Sequence, residues 1–346
     1  MNILLEAGAD VNPRTGTPPI ELAARRGDLE KARTLIAHGA NVNNGFALAA
    51  AAGNDRLEIV KLLLASGVNP NLADSYGRTA LHWAVGHDAI LTALIQAGAD
   101  VNAKGKDGRT PLVWAVERDD IGAVKILLQA GANPAVKTRD VPSLLGRTQA
   151  HQIAAALLEH SSAIDADAAS HLLDLSAHKG WADVASLVVQ RGFNVKGAVG
   201  ELTLRDATEA CYPNVMRVLL EAGTDPNAAD TTLRRPIQYA VSACPHNFNS
   251  MNYAESDAAT RFEMIQLLVS HGANVNLKLD QNLESDQPIG IAVAYLPPPD
   301  LKTVEFLLAH GAVVTPSLIE LARYRNRPDL VALLLKPRPA RAPAKK

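Results

Sequence analysis

His171, Asp174 and His178 lie three and seven residues apart, a spacing that puts two imidazoles and a carboxylate on one helix face where they can hold a metal. No fourth ligand stands nearby, and the polar face of an amphipathic helix gives the same pattern. We therefore read them as that face, with His178-Lys179-Gly180 leading into a turn. Cys244-Pro245-His246 offers a thiol beside a base, but neighbours in a loop rarely align for attack and nothing orients this pair. His38, His271 and His310 each precede a glycine at a helix end, where they serve as cap donors or as cations on the helix terminus. Gly105 and Gly108 lack the spacing of a phosphate-binding loop. The expectation is a chain with no catalytic residue, no metal and no cofactor, and so not an enzyme.

Charge narrows the partners. The net charge is −2, from 34 basic and 36 acidic residues. Five of the basic residues sit in "KPRPARAPAKK" (336–346), which leaves residues 1–335 with 29 basic against 36 acidic side chains. A body of that sign is a poor match for phosphate backbones, so nucleic acid is not expected. The tail reads as a disordered basic end. No stretch reaches the 18 or so apolar residues of a membrane span, and no basic segment followed by an apolar run opens the chain. Cys211 and Cys244 stand in neither redox nor metal spacing and make no disulfide framework, which fits a reducing compartment. These features point to a cytoplasmic monomer.

The elements emerge from self-similarity. "LLEAGADVN" (4–12) returns as "LIAHGANVN" (35–43), "LLASGVNPN" (63–71), "LIQAGADVN" (94–102), "LLQAGANP" (127–134), "LLEAGTDPN" (219–227), "LVSHGANVN" (268–276) and "LLAHGAVV" (307–314). Weaker copies are "LLEHSSAI" (157–164), with Ser161 in the glycine position, and "VVQRGFNV" (188–195). Glycines 8, 39, 67, 98 and 131 step by 31, 28, 31 and 33 residues. Each step holds two short apolar stripes of helical period. In 107–131, Thr110 is an N-cap, Pro111 the first helical residue, and Gly131 the stop of the second helix. Helices this short are marginal alone in water, and one pair buries too little, so pairs must stack into an array.

"DSYGRTALHWAVGH" (74–87), "KDGRTPLVWAV" (106–116) and the recurring L-L-x-x-G-A-D/N-V-N phrase resemble the ankyrin repeat. The resemblance covers about residues 1–335, near ten repeats of which the first is a half-repeat, followed by the tail at 336–346. It implies an all-α solenoid of stacked antiparallel helix pairs joined by β-turn fingers, and recognition of a protein partner on the concave face. Family members bond a Thr to a His where the first helix begins. Here only Thr79 and His82 keep that pair, the His position being Glu21, Val113 and Gln238 elsewhere. Residues 135–156 and 196–210 depart furthest from the first-helix pattern, and 135–210 is expected to be the least stable stretch. An insertion occupies 244–261, and extra residues fall near 280–286 and 296–300.

Binding residues in such an array belong at finger tips and first-helix ends. The candidates are Tyr76, Arg78, Lys106, Arg109, Arg118 and Arg234, Tyr and Arg being frequent binding anchors. Phe248 and Tyr253 in the insertion join them as apolar anchors among asparagines. Trp83, Trp114 and Tyr239 hold one shared position and are read as filling space between neighbouring first helices. The reading is a scaffold or adaptor. Its rivals are the non-catalytic portion of an enzyme, or of a secreted effector, whose catalytic part lies outside this chain. Met1–Asn12 resembles the second half of a repeat, so a start inside a longer array is expected.

Overall fold

Short helices need a partner on two sides. The computed structural model supplies both and describes residues 9–43, 46–135, 150–242, 255–278, 287–295 and 301–337. Nineteen helices occur among the described residues, with an isolated antiparallel bridge, Ala73–Thr79, in place of strands. The chain divides into two compact units, 1–168 and 169–346.

In the first unit, first helices α1 (Pro19–Arg26), α3 (Phe46–Gly53), α5 (Ala80–Trp83) and α7 (Pro111–Glu117) form one layer. Second helices α2 (Leu29–Ala37), α4 (Leu57–Ala65), α6 (Asp88–Gln96) and α8 (Ile121–Gln129) form the other, and α9 (His151–His160) packs on α8. The second unit repeats the scheme after α10 (Ala166–Lys179). Its first helices are α12 (Ala198–Glu209), α14 (Pro236–Ser242), α16 (Pro288–Tyr295) and α18 (Pro316–Tyr324). Its second helices are α11 (Ala182–Gln190), α13 (Pro213–Glu221), α15 (Glu255–Ser270) and α17 (Leu301–Ala309), and α19 (Pro328–Leu335) closes against α18. The fold is the expected helical array. Small side chains let first helices approach closely: Ala47, Ala51 and Ala52 of α3 are fully buried.

The helix ends follow the residues that make them. Thr110 Oγ1 accepts from Val113 N at 3.4 Å, and Pro111 sits at the first turn. Second helices end on glycines 39, 67, 98, 131, 192, 223, 272 and 311, all at positive φ. Ser161 departs from them because its helix ends differently. Its φ is −90° and its hydroxyl donates to the Leu157 carbonyl at 2.6 Å, so no left-handed residue is required. His38, His271 and His310 act as caps, each Nδ1 lying 2.8 Å from the carbonyl four residues earlier.

Asparagine joins one repeat to the next. Asn71 Nδ2 donates to the Gly98 carbonyl at 3.2 Å while its Oδ1 accepts from Asp100 N at 2.7 Å. Asn102 does the same with Gly131 and Asn133, Asn227 with Gly272 and Asn274, and Asn276 with Gly311 and Val313. The side chain two residues earlier fixes the turn, as Asp100 Oδ1 accepts from Asn102 N at 2.9 Å. Between Asn102 and Asn227 the corresponding residues are Ala135, Asp165 and Lys196, and none of them makes this bridge among the described residues.

Residues 198–209 form the regular helix α12 despite their weak pattern. Two expectations change. Helix α15 begins at Glu255, so residues 255–261 of the stretch read as insertion are helical. Cys211, buried and at φ 64°, is disulfide-bonded, where no disulfide was expected from the sequence. The half-repeat before Ala9, the extra residues at 280–286 and 296–300, and the tail from 338 lie outside the described residues.

Removing one bridge should loosen the array locally. Asn71→Ala deletes a donor and an acceptor and is expected to cost about 1–3 kcal/mol in urea unfolding. Limited proteolysis should cut within 135–210, where these bridges lapse, before it cuts within 63–131. First cuts inside 74–131 would contradict this.

Candidate functional site

The finger at 74–79 is built by one carboxylate. Asp74 Oδ1 accepts from Tyr76 N at 2.8 Å and Arg78 N at 2.9 Å, and Gly77 takes φ 76° so that its N–H donates to the Asp74 carbonyl at 2.9 Å. The other oxygen, Oδ2, accepts from the Trp83 indole N–H at 3.2 Å, which ties the finger to α5. The next finger has Gly105 in the Asp74 position but the same backbone turn, Gly105 N donating to Arg109 O at 2.9 Å. The two fingers lie side by side, with Lys106 N donating to the Tyr76 carbonyl at 2.8 Å.

On this frame the cations and rings interleave. The Arg78 guanidinium carbon lies 5.1 Å from the Tyr76 ring centre, 5.7 Å from Trp83 and 4.8 Å from Trp114. Trp83 and Trp114 meet edge to face at 5.8 Å. Arg118 places its guanidinium carbon 4.9 Å from the Trp114 ring and donates to the Val85 carbonyl at 3.3 Å. Arg109 is paired, 3.5 Å from Glu117 and 3.9 Å from Asp107. Tyr76 remains 63% exposed, so the group presents an aromatic edge to solvent. Beside Trp83 opens a cleft of about 250 Å³ between α3 and the finger, lined by Phe46, Ala49, Ala50 and Gly53, with Glu21, Arg25 and Asp74 at its charged positions.

The second unit holds a counterpart. Asp230 Oδ1 accepts from Thr232 N and Arg234 N, and Tyr239 Oη donates to its Oδ2 at 2.5 Å. Burial alone would raise the Asp230 pKa, but hydrogen bonds from Tyr239 and Thr232 bring it below the usual carboxylate value. Burial and the bond to that carboxylate raise the Tyr239 phenol. Arg234 lies 5.3 Å from the Tyr239 ring. Leu233 occupies the position of Gly77 at φ 64°, a left-handed conformation unfavourable for a branched side chain, and is 57% exposed. A cleft of about 290 Å³ runs from Leu202 and Arg205 to Asp230 and Arg234.

The structure thus brings Tyr76, Arg78, Lys106, Arg109 and Arg118 together in the first unit and places Arg234 in the matching position of the second. Phe248 and Tyr253 lie outside the described residues, as do Cys244 and His246. The three rings do fill space, but they are partly exposed and also carry the arginines. Asp74 and Asp230 escaped the sequence reading. Their signal was a shared frame, Asp then Arg four residues on and an aromatic nine residues on, visible once Asp74-Arg78-Trp83 is laid over Asp230-Arg234-Tyr239. Of the histidine–carboxylate face, Asp174 and His178 meet Asp206 with ligand atoms within 4.8 Å, while His171 is not part of the group. Arg205 occupies the Asp206 carboxylate through Nε at 2.9 Å and Nη2 at 2.6 Å, and His178 Nδ1 lies 2.9 Å from the Asp174 carbonyl.

Comparison with known proteins agrees with this geometry. The family profile described as ankyrin repeats in three copies matches residues 20–105 and, in an overlapping register, 46–138. A putative ankyrin repeat-containing protein of Treponema pallidum (strain Nichols) is 40% identical over 103 residues, 27% of this chain and 35% of that protein. The chain therefore spans about a third of that relative's length.

His82 underlies the ring cluster and titrates. It is fully buried, edge to face with Trp114 at 5.9 Å. Its Nδ1 accepts from Thr79 N at 3.1 Å and its Nε2 lies 3.1 Å from the Arg109 carbonyl, the arrangement of a neutral ring protonated at Nε2. Burial holds its pKa below the ordinary imidazole value. A lowered folded pKa means that stability is full above the unfolded value, ~6.5, and is lost as pH falls from there through the folded pKa. Gln238 makes the equivalent bonds in the second unit, Oε1 accepting from Arg235 N at 2.9 Å and Nε2 donating to Leu277 O at 3.4 Å. His82→Gln is therefore expected to stay within about 1 kcal/mol of the parent at pH 8 and to lose part of the drop in unfolding temperature between pH 7 and 5. An unchanged drop would show that His82 does not cause it.

Proposed function

We propose that this chain, whose residues 20–138 match ankyrin repeats, is a non-catalytic scaffold or adaptor that binds a protein partner as a monomer, without a cofactor. The surface is that of the fingers and first helices. The observation that carries the reading is Tyr76, exposed at a finger tip beside Arg78, which is held among three rings. Aromatic and arginine side chains fixed before binding lose little freedom on association, which is what makes such residues anchors. The rigid layer beneath supplies the positions, and no step of bond chemistry is assigned to it.

Location divides the reading. Among the described residues no helix is long and apolar enough to cross a membrane. The disulfide at Cys211 favours the exported form, the secreted effector, over the cytoplasmic one, because disulfides persist in oxidising compartments. Alkylation of the native protein, denatured without reductant, should leave Cys211 unlabelled in peptide mass spectra. Full labelling would return the protein to a reducing compartment.

Binding is tested with peptides selected from a random-sequence display library on the full chain. Tyr76→Ala should weaken most selected peptides by about 1–3 kcal/mol, the loss of one anchor, and leave thermal unfolding unchanged. Peptides whose affinity ignores Tyr76→Ala and Arg118→Ala alike would place the binding surface elsewhere.

A further inference from the structure

The charges on the first unit's finger face do not balance locally. Glu21 is paired with Arg25 at 2.7 Å, Asp74 accepts from two backbone N–H groups and the Trp83 indole, and Asp107 and Glu117 flank Arg109. Arg78, Lys106 and Arg118 have no carboxylate within ion-pair distance among the described residues. The face is thus locally cationic on a body that carries more acidic than basic side chains. Arg78 is also held in place, its Nε buried without a hydrogen-bond partner and its guanidinium set among Tyr76, Trp83 and Trp114.

From this arrangement we propose that the face takes an acidic polypeptide segment, with its carboxylates on Arg78, Lys106 and Arg118 and one apolar side chain in the cleft between Phe46 and Trp83. The proposal rests on the protein-binding reading above and adds the chemistry of the partner. A carboxylate meeting Arg78 finds a guanidinium already fixed and partly shielded from water, where an ion pair is stronger than at a fully exposed site. The adjoining cleft is apolar along α3, with Phe46 43% exposed at its edge. That suits a Leu or Phe side chain flanked by acids. Single-stranded nucleic acid fits less well. Bases stack on open ring faces, and here the guanidinium groups of Arg78 and Arg118 already lie against the tryptophans.

Three probes decide the matter with the full chain: a fluorescent 12-residue peptide of Glu and Asp around one Phe, the same peptide with Gln and Asn, and an oligo-dT of similar length. The acidic peptide should bind at least ~10-fold more tightly than the amide peptide, and more weakly as salt rises. Lys106→Gln with Arg118→Gln should lower its affinity ~10-fold, with an unfolding temperature lowered by no more than the loss of the Arg118 contacts to Val85 and Trp114. Lys61→Gln, on a second helix, should change it less than ~2-fold. Equal binding of the two peptides, indifference to the double variant, tighter binding of oligo-dT, or no binding of any probe would each overturn the proposal. If the amide peptide binds equally and Tyr76→Ala abolishes that binding, the acidic preference falls while the protein-binding surface stands. If binding of both peptides ignores Tyr76→Ala, the surface falls as well.

Discussion

Where the repeat phrase is complete, one asparagine carries the connection to the next repeat. Its amide faces two ways, donating to the carbonyl that ends the next repeat's second helix and accepting from an N–H just beyond it. Asn71 does this with Gly98 and Asp100, and Asn227 with Gly272 and Asn274. A carbonyl at a helix end has no partner within its own helix, and the bridge supplies one from outside. Apolar burial holds the helices in layers, but burial is non-directional and would tolerate sliding. The amide fixes how far one pair is displaced from the next, and with it the spacing of the fingers.

That spacing makes the surface. Lys106 N reaches the Tyr76 carbonyl because neighbouring fingers keep register, and Arg78 meets Trp114 of the following repeat for the same reason. The buried His82 works from below, joining Thr79 of its own repeat to Arg109 of the next. A ring cluster drawn from two repeats can be rigid only if the step between them is rigid. The anchor residues therefore inherit their order from bonds that touch no partner.

Much of this was legible in the sequence because it recurs. The phrase ending in Gly-Ala-Asp-Val-Asn declares a helix stop and a turn wherever it stands, and Thr110-Pro111 declares a helix start. Residues 196–210 were harder, since α12 is held by packing of Thr203, Leu204 and Ala207 rather than by a cap or a repeated motif. The candidate anchors Tyr76, Arg78, Arg109 and Arg118 were named from residue type and place. Their mutual arrangement was not legible, because a guanidinium among three rings depends on side-chain paths that no spacing encodes. Asp74 was missed for another reason. A carboxylate in a turn reads as a local capping group, and its second oxygen reaches Trp83 only in three dimensions. The disulfide at Cys211 was missed because two cysteines without a familiar spacing give no sign of pairing.

The bridge from Asn227 spans 45 and 47 residues, against 27 and 29 for that from Asn71 or Asn12, because the insertion lies between its ends. The entropy of closing a loop rises only with the logarithm of its length, so the longer span costs about 0.4 kcal/mol more. The bond geometry is the same at both lengths. The site between α14 and α15 is therefore one where chain length is nearly free to drift, and new segments can accumulate there over evolutionary time without a redesign of the repeats on either side.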